Sequence, residues 1–468
     1  MSEIEERVAE LERQGLGRRL RLISGPQGPT VLLEGKPVLL LCSNNYLGLA
    51  DHPRVREAAA EAVMRWGVGA GASRLVSGTM TIHRRLEERL ASFKGSEACL
   101  LFGSGYLANL GVIGALAGRG DTIFSDELNH ASIVDGCRLS RAEVVVYRHR
   151  DVEHLEWSMH RHGGRDGGRL IVTDSVFSMD GDVAPLEPIA ALASRYGART
   201  VVDEAHAIGN LGPEGRGAVA EAGLEGEFDV VVGTLGKALG SYGAYACAST
   251  EIVRYLINSS RSLIFSTAPP PPAIAGALAA LELLQERPHR VQRLRSNART
   301  LRRALAAEGF PVAEADMHIV PLIVGDERQT MRLCQEAIEQ GVFAQGIRPP
   351  TVAAGTSRLR LTTMASHTAS DLEMAASVLG DAARRLGLDP AAILSPSAEP
   401  AQPVEDPNSE HAELARIVRE RSYGRERERT GPVPFDMERD AEEAPAPRRR
   451  EAALASAPFD LEREASAA

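Results

Sequence analysis

The 468-residue chain has no basic excess, no clustered cysteines and no long apolar run, and each absence removes a class of function. A formal net charge of −10 leaves no basic face for a nucleic acid or an anionic membrane. The five cysteines (Cys42, Cys99, Cys137, Cys247, Cys334) are odd in number, far apart and never spaced C-x-x-C, so neither a disulfide framework nor a zinc site is expected. They read as reduced core thiols. The opening "MSEIEERVAELERQGLGRRLR" is a charged amphipathic helix rather than the apolar core of a signal peptide, and no later run approaches a membrane span. A cytoplasmic protein with neither nucleic-acid nor membrane partners is expected. The 44% hydrophobic content is enough for large buried cores.

Between about residues 95 and 250, short apolar runs ("ACLLF", "DTIFS", "AEVVVY", "RLIVTDSV", "ARTVVDEAH", "DVVVGTLG", "AYACAS") alternate with helix-like segments. Strands that are apolar throughout belong to a sheet covered on both faces, hence a mostly parallel α/β domain with its ligand at the strands' carboxyl ends. Residues 286–388 change texture, with "RVQRLRSNARTLRRALAAEGF", "HIVPLIV", "QTMRLCQEAIEQG", "SRLRLTTM" and a last helix "ASDLEMAASVLGDAARRLG", and predict a smaller α+β domain. The expected division is 1–50 as an N-terminal helix and arm, 51–285 as the large domain, 286–388 as the small one and 389–468 as a disordered tail. The tail repeats "PFDMER" at 434–439 as "PFDLER" at 458–463, a pattern that biased sequence also produces and that a bivalent docking motif would need.

Three stretches carry chemistry. "FGSGYLAN" at 102–109 ends an apolar run and opens a helix, placing backbone N–H groups where an anion such as a phosphate is favoured. "TVVDEAHAIG" delivers Asp203 and His206 at the end of a buried strand, able to pair with a ring nitrogen and a ring hydroxyl of a heteroaromatic ligand. A metal pair is disfavoured because no third ligand stands nearby. "VVVGTLGKALG" delivers Lys237 among glycines, three residues after Thr234, and a desolvated lysine beside a phosphate-binding hydroxyl suits an aldehyde cofactor held as a Schiff base. A Walker loop is excluded by the spacing and by Ala238 where Ser or Thr is needed.

Together with "SNNYLGL" (43–49), "GAGASRLVSGTMTIHRRLEERLASFKG" (69–95), "DELNHASIVDGCRLS" (126–140), "VFSMDGDVAPL" (176–186), "VVDEAHAIGNLGPEGRG" (201–217) and "GTLGKALGSYGA" (233–244), these stretches resemble the α-oxoamine synthases of the pyridoxal-phosphate fold type I enzymes. The resemblance covers residues 15 to 385. It implies a decarboxylative condensation of an amino acid with an acyl thioester on a mostly parallel sheet with a smaller C-terminal α+β domain. Lys237 would carry the cofactor and move the α-proton, Asp203 would pair with the pyridine nitrogen, His206 would contact the ring oxygen, and His130 would stack on the ring. Gly105, Tyr106, Thr234 and Ser178 would complete the cofactor pocket, and Thr267 would reach the cofactor phosphate of a neighbouring subunit, which implies a homodimer with its active sites at the subunit interface.

"FAQGIRPPTVAAGTSRLRLT" (343–362) resembles one branch of that family and implies L-alanine and a pimeloyl thioester, on acyl carrier protein or coenzyme A, as substrates. Arg360 would clamp a carboxylate. Arg348, Thr351 and an arginine of "GRRLR" would meet the acyl chain's remote end; spacing favours Arg18, with Arg19 and Arg21 as rivals. Asn44 is a further substrate contact. Ala72 and Asp174 depart from the family pattern, which expects glycine and glutamate there. Glycine C-acetyltransfer or another reaction of the family is the alternative. A nicotinamide dehydrogenase would explain "GSGYLA" and Asp126 but leaves Lys237 and the Asp203/His206 pair without a role, and an inactive scaffold would be expected to have lost the lysine.

Overall fold

The computed structural model describes residues 2–162 and 167–393. The first helix, Glu3–Arg13, is closed by a capping box in which Ser2 and Glu5 satisfy each other's backbone N–H groups, and none of its residues is buried. A small sheet follows from β1 (Ile23–Ser24), β2 (Thr30–Leu33) and β3 (Lys36–Leu40).

The central sheet is built from β4 (Ala98–Phe102), β5 (Thr122–Asp126), β6 (Glu143–Tyr147), β7 (Arg169–Asp174), β8 (Arg199–Asp203), β9 (Val230–Thr234) and β10 (Ala244–Ala248), in the order β4-β10-β9-β8-β7-β5-β6. The apolar runs of the sequence map onto these strands within three residues at either end. β10 is antiparallel to both neighbours and the other pairings are parallel, so six strands point the same way. β5, β9 and β10 are buried at every position because helices cover both faces. Residues Phe124, Ile171, Val202 and Val231 fill one side, and Leu100, Val172, Val201 and Val232 the other.

The last sheet joins β11 (Ile319–Gly325), β13 (Gln345–Ile347) and β14 (Ser357–Thr362), all antiparallel. The intervening β12 (Val342–Phe343) leaves that sheet and pairs parallel to β3, closing the N-terminal sheet with C-terminal chain. The predicted arginine-rich helix is His289–Ala307 and the predicted last helix is Ala369–Arg385. The expected tail begins at 389; Pro390–Ala392 form a 3-10 turn, and Ile393 packs into the core of Leu301, Leu322 and Leu359. The two Pro-Phe-Asp hexapeptides lie outside the described residues.

Candidate active site

Five parallel strands end in the residues singled out above: β4 runs into Gly103-Ser104-Gly105, β5 ends at Asp126, β7 at Asp174, β8 at Asp203 and β9 at Thr234. Apolar side chains anchor the middle of each strand, so its last polar residue emerges at the carboxyl edge, the side of an open α/β sheet that binds ligands.

Lys237 Nζ lies 2.8 Å from Nε2 of His206. Nδ1 of that ring is 2.7 Å from the hydroxyl of Tyr46, which in turn donates to Asn44 Oδ1 at 2.9 Å. Arg360, on β14, donates to Tyr46 Oη at 3.4 Å, to Asn44 Oδ1 at 3.3 Å and to the backbone carbonyl of Ser178. Burial pushes the Lys237 amine down to about 8, with Asp203 and Asp174 pulling upward and Arg360 adding to the fall. Burial, reinforced by the Lys237 and Arg360 charges, holds His206 well below the ordinary histidine range, so its ring is neutral.

Asp203 is fixed by two donors, the Asn109 side chain at 2.7 Å and the Ala205 N–H at 2.7 Å. Asn109 also donates to Ser132 Oγ, which lies 2.7 Å from Nδ1 of His130, and His130 caps the helix Ala131–Ser140. Asp174, the departure from the family pattern, accepts the His130 N–H at 2.7 Å, and burial followed by the Asp203 charge raises its carboxyl well above the usual range. It therefore positions a candidate site residue rather than standing apart from the site.

Ser104 caps the helix Gly105–Leu116 by accepting the Leu107 N–H at 3.2 Å, and a Cβ on Gly105 would stand 4.0 Å from that of Thr234. Thr234 Oγ accepts the Gly236 N–H and donates to Gly243 O. Tyr106 is partly exposed, with its hydroxyl on Asp135. Thr267 is exposed and pairs with Ser73 in an isolated bridge.

A second group lies past β13. The Arg348 guanidinium donates to Gly17 O, Arg18 donates to Pro349 O at 3.4 Å, and the Thr351 N–H donates to Arg348 O. Each arginine thus reaches the backbone beside the other, and burial and the Arg18 charge both lower the pKa of Arg348. Of the rivals, Arg19 sits 3.8 Å from Glu34, and Arg21 donates to Gln335 and lies over the Phe343 ring.

The loop at 178–182 is clamped from both sides. Arg360 holds Ser178 O and Arg358 holds Asp180, while His149 bridges Asp126 at 2.9 Å and Asp182 at 2.7 Å. Burial alone would lower the His149 pKa, but the two carboxylates outweigh it and raise the ring to about 10. A raised folded-state pKa stabilises fully below the unfolded value of 6.5, and that contribution is lost as pH climbs to about 10. His149→Gln is expected to remove about 2 kcal/mol near neutrality and to flatten the fall in thermal midpoint toward pH 10. Parallel midpoint curves for the two proteins would contradict the clamp.

The residues present fit pyridoxal phosphate: a neutralisable, half-buried lysine, a carboxylate held by two donors at a strand end, and a helix N-terminus whose first N–H groups lack intrahelical partners. Tyr46, Asn109 and His318 were not picked out from the sequence. Asn109 stands one helical turn after Gly105, a usable signal, whereas the partners of Tyr46 and His318 come from distant segments and leave no trace in local spacing.

The chain matches the family model "Aminotransferase class I and II" over residues 36–379. It is 53% identical over 383 residues to an 8-amino-7-oxononanoate synthase from Geobacter sulfurreducens, covering 81% of this chain and 98% of that one. Among solved structures, one of SPT with PLP internal aldimine superposes with a TM-score of 0.79 at 34% identity, over 83% of this chain and 98% of that one. An 8-amino-7-oxononanoate synthase from Francisella tularensis gives 0.65 at 26% identity, over 75% and 99%. The chain belongs to the class I and II aminotransferase family and, within it, to the pyridoxal-phosphate-dependent 8-amino-7-oxononanoate synthases.

Proposed function

We propose that the enzyme condenses L-alanine with a pimeloyl thioester, carried on acyl carrier protein or coenzyme A, to give 8-amino-7-oxononanoate for biotin synthesis. The observation that carries the substrate choice is the Arg18/Arg348 pair. Two neighbouring cations, exposed Arg18 and buried Arg348, are held by backbone carbonyls with no carboxylate among their hydrogen-bond partners in the described residues; they suit a free carboxylate at the remote end of an acyl chain, and a plain hydrocarbon end would leave Arg348 buried against it.

When bound, the cofactor supplies an electron sink for negative charge at the amino acid's α-carbon. Asp203 Oδ would hold the ring nitrogen's proton, His206 would meet the ring oxygen, and His130 would cover the ring face. Gly105, Tyr106 and Thr234 would hold the phosphate end, joined by Thr267 of a second subunit, and Ser178 would complete the pocket. Lys237 Nζ would take the α-proton and return it; an amine near 8 is matched to that task because both of its protonation states are accessible near neutral pH. Arg360 and Asn44 would orient the alanine carboxylate, and Arg18, Arg348 and Thr351 the pimeloyl carboxylate.

We take residues 51–285 as the cofactor domain and 286–388 as the smaller one that brings in the two C-terminal arginines, in a cytoplasmic homodimer. Exposed Leu75, Val76 (79%) and Phe265 (70%) flank the Ser73–Thr267 bridge, an apolar patch that supports a subunit contact there. No helix among the described residues is long and apolar enough to cross a membrane.

Purified enzyme with pyridoxal phosphate, alanine and pimeloyl-CoA should release carbon dioxide and a product of the expected mass; faster turnover of glycine with acetyl-CoA would overturn the reading. Arg348→Ala should raise KM for the pimeloyl thioester about 10- to 100-fold, as loss of a charged hydrogen bond does, while KM for alanine stays within about twofold. Equal effects on both KM values would place Arg348 elsewhere.

A further inference from the structure

Tyr46 is wholly buried, and its hydroxyl meets three groups of different capacity. Asn44 Oδ1 can only accept, Arg360 can only donate, and Nδ1 of His206 does either according to tautomer. Two complete hydrogen-bond arrangements follow. With Lys237 protonated, the amine donates to Nε2, Nδ1–H donates to the Tyr46 oxygen, and the tyrosine proton goes to Asn44. With Lys237 neutral, the amine accepts from Nε2–H, the tyrosine proton turns to Nδ1, and Arg360 supplies Asn44 Oδ1 at 3.3 Å. Both arrangements satisfy both ring nitrogens of His206.

We propose that Tyr46 is a positioning residue of the cofactor-free site, whose hydroxyl lets His206 exchange tautomers as Lys237 loses and regains its proton, so that the amine keeps one hydrogen-bond partner until the cofactor's ring oxygen takes its place on His206. The inference rests on the reading of Lys237 as the cofactor-bearing base. The other charged and titratable groups facing the pair are Asp203, Asp174 and Arg360 around the lysine, and Arg360, His318 and His130 around the histidine, whose own ring burial keeps neutral.

The tyrosine is also backed from behind. His318 packs against its ring at 4.0 Å between centroids and 66° between planes, is itself fully buried, and has neither nitrogen hydrogen-bonded among the described residues. Burial and the Arg360, Lys237 and Arg302 charges bring that imidazole down to about 3, so it stays neutral and serves as a wall. It does not compete for the hydroxyl.

The test is Tyr46→Phe, which keeps the ring against His318. Full-length protein freed of cofactor is labelled with fluorodinitrobenzene from neutral to alkaline pH, and the Lys237 peptide is quantified by mass spectrometry. Without the hydroxyl, Nδ1–H would be a buried donor with no acceptor, so the Nε2–H tautomer prevails and favours the neutral amine. The labelling midpoint should fall by about one pH unit, the size of one neutral hydrogen bond. In a His206→Gln background the same change should leave the midpoint in place. An unshifted midpoint in the first case, or an equal shift in the second, overturns the proposal. Should Tyr46→Phe fail to fold, Asn44→Ala removes the terminal acceptor of the charged-lysine arrangement and should give the same downward shift; no shift there is equally fatal. Borohydride treatment of the parent holoenzyme separates the levels: absence of pyridoxal phosphate on the Lys237 peptide sinks the reading of the site and this inference with it. Normal labelling with an unmoved midpoint sinks only the role of Tyr46.

Discussion

Lys237→Ala is expected to leave a folded protein that binds pyridoxal phosphate only reversibly and turns over about 10³-fold or more slowly. On the proposed reading the side chain would have two duties, covalent attachment and proton transfer, and a positioned base alone contributes roughly 10²–10⁴-fold. The amine suits both because burial has brought it to about 8 and His206 Nε2 lies within hydrogen-bond reach of it at 2.8 Å. Borohydride reduction followed by peptide mass should find the cofactor on the parent's Lys237 peptide and nowhere on the variant. A variant retaining about a tenth of parental turnover would remove Lys237 from the chemistry.

The largest stability effect is expected at Lys94→Ala. Lys94 and Glu204 form an ion pair whose side chains are 3% and 0% exposed. Glu204 also accepts the Val219 N–H at 2.7 Å, and Lys94 also donates to Arg216 O. The alanine leaves a buried carboxylate without its cation, which costs about 3–5 kcal/mol, read as a lower urea midpoint at unchanged slope. Because Glu204 directly follows Asp203, cofactor affinity should weaken as well. The Lys94→Met/Glu204→Met pair should recover part of the loss but not all, since the Val219 N–H is then unpaired. Recovery to parental stability, or a loss of under about 1 kcal/mol in Lys94→Ala, would show that the pair contributes little. Gly217 shares this corner: its φ is 117°, and a Cβ there would lie 2.2 Å from Glu204 Oε2.

The central sheet was legible because its strands other than the edge strand β6 bury both faces, so apolar runs such as "TIFS" and "VVV" mark strands. Residues one or two steps beyond such runs, Asp203 and Thr234, were readable for the same reason. The antiparallel direction of β10 and the departure of β12 to the N-terminal sheet were not, since strand direction and partner depend on where the chain returns rather than on local composition. Among the arginines, spacing favoured Arg18, and its place beside Arg348 separates it from Arg19 and Arg21. Tyr46 lay inside a quoted motif and still went unnoticed, because its part is defined by a histidine 160 residues away. Asp174 shows the opposite failure. Read as a departure from the family pattern, it holds the His130 backbone.

The pairing of β3 with β12, and of Tyr46 with Arg360 across 314 residues, also sets a timetable for synthesis. At roughly 5–20 residues per second, a ribosome needs about a quarter of a minute to a minute to travel that distance. Throughout that interval the strand carrying Val38 and Leu40 has emerged without the neighbour that completes its sheet. The nascent arm waits through most of synthesis for these partners, and Arg360 reaches Tyr46 only when almost the whole described chain has been made.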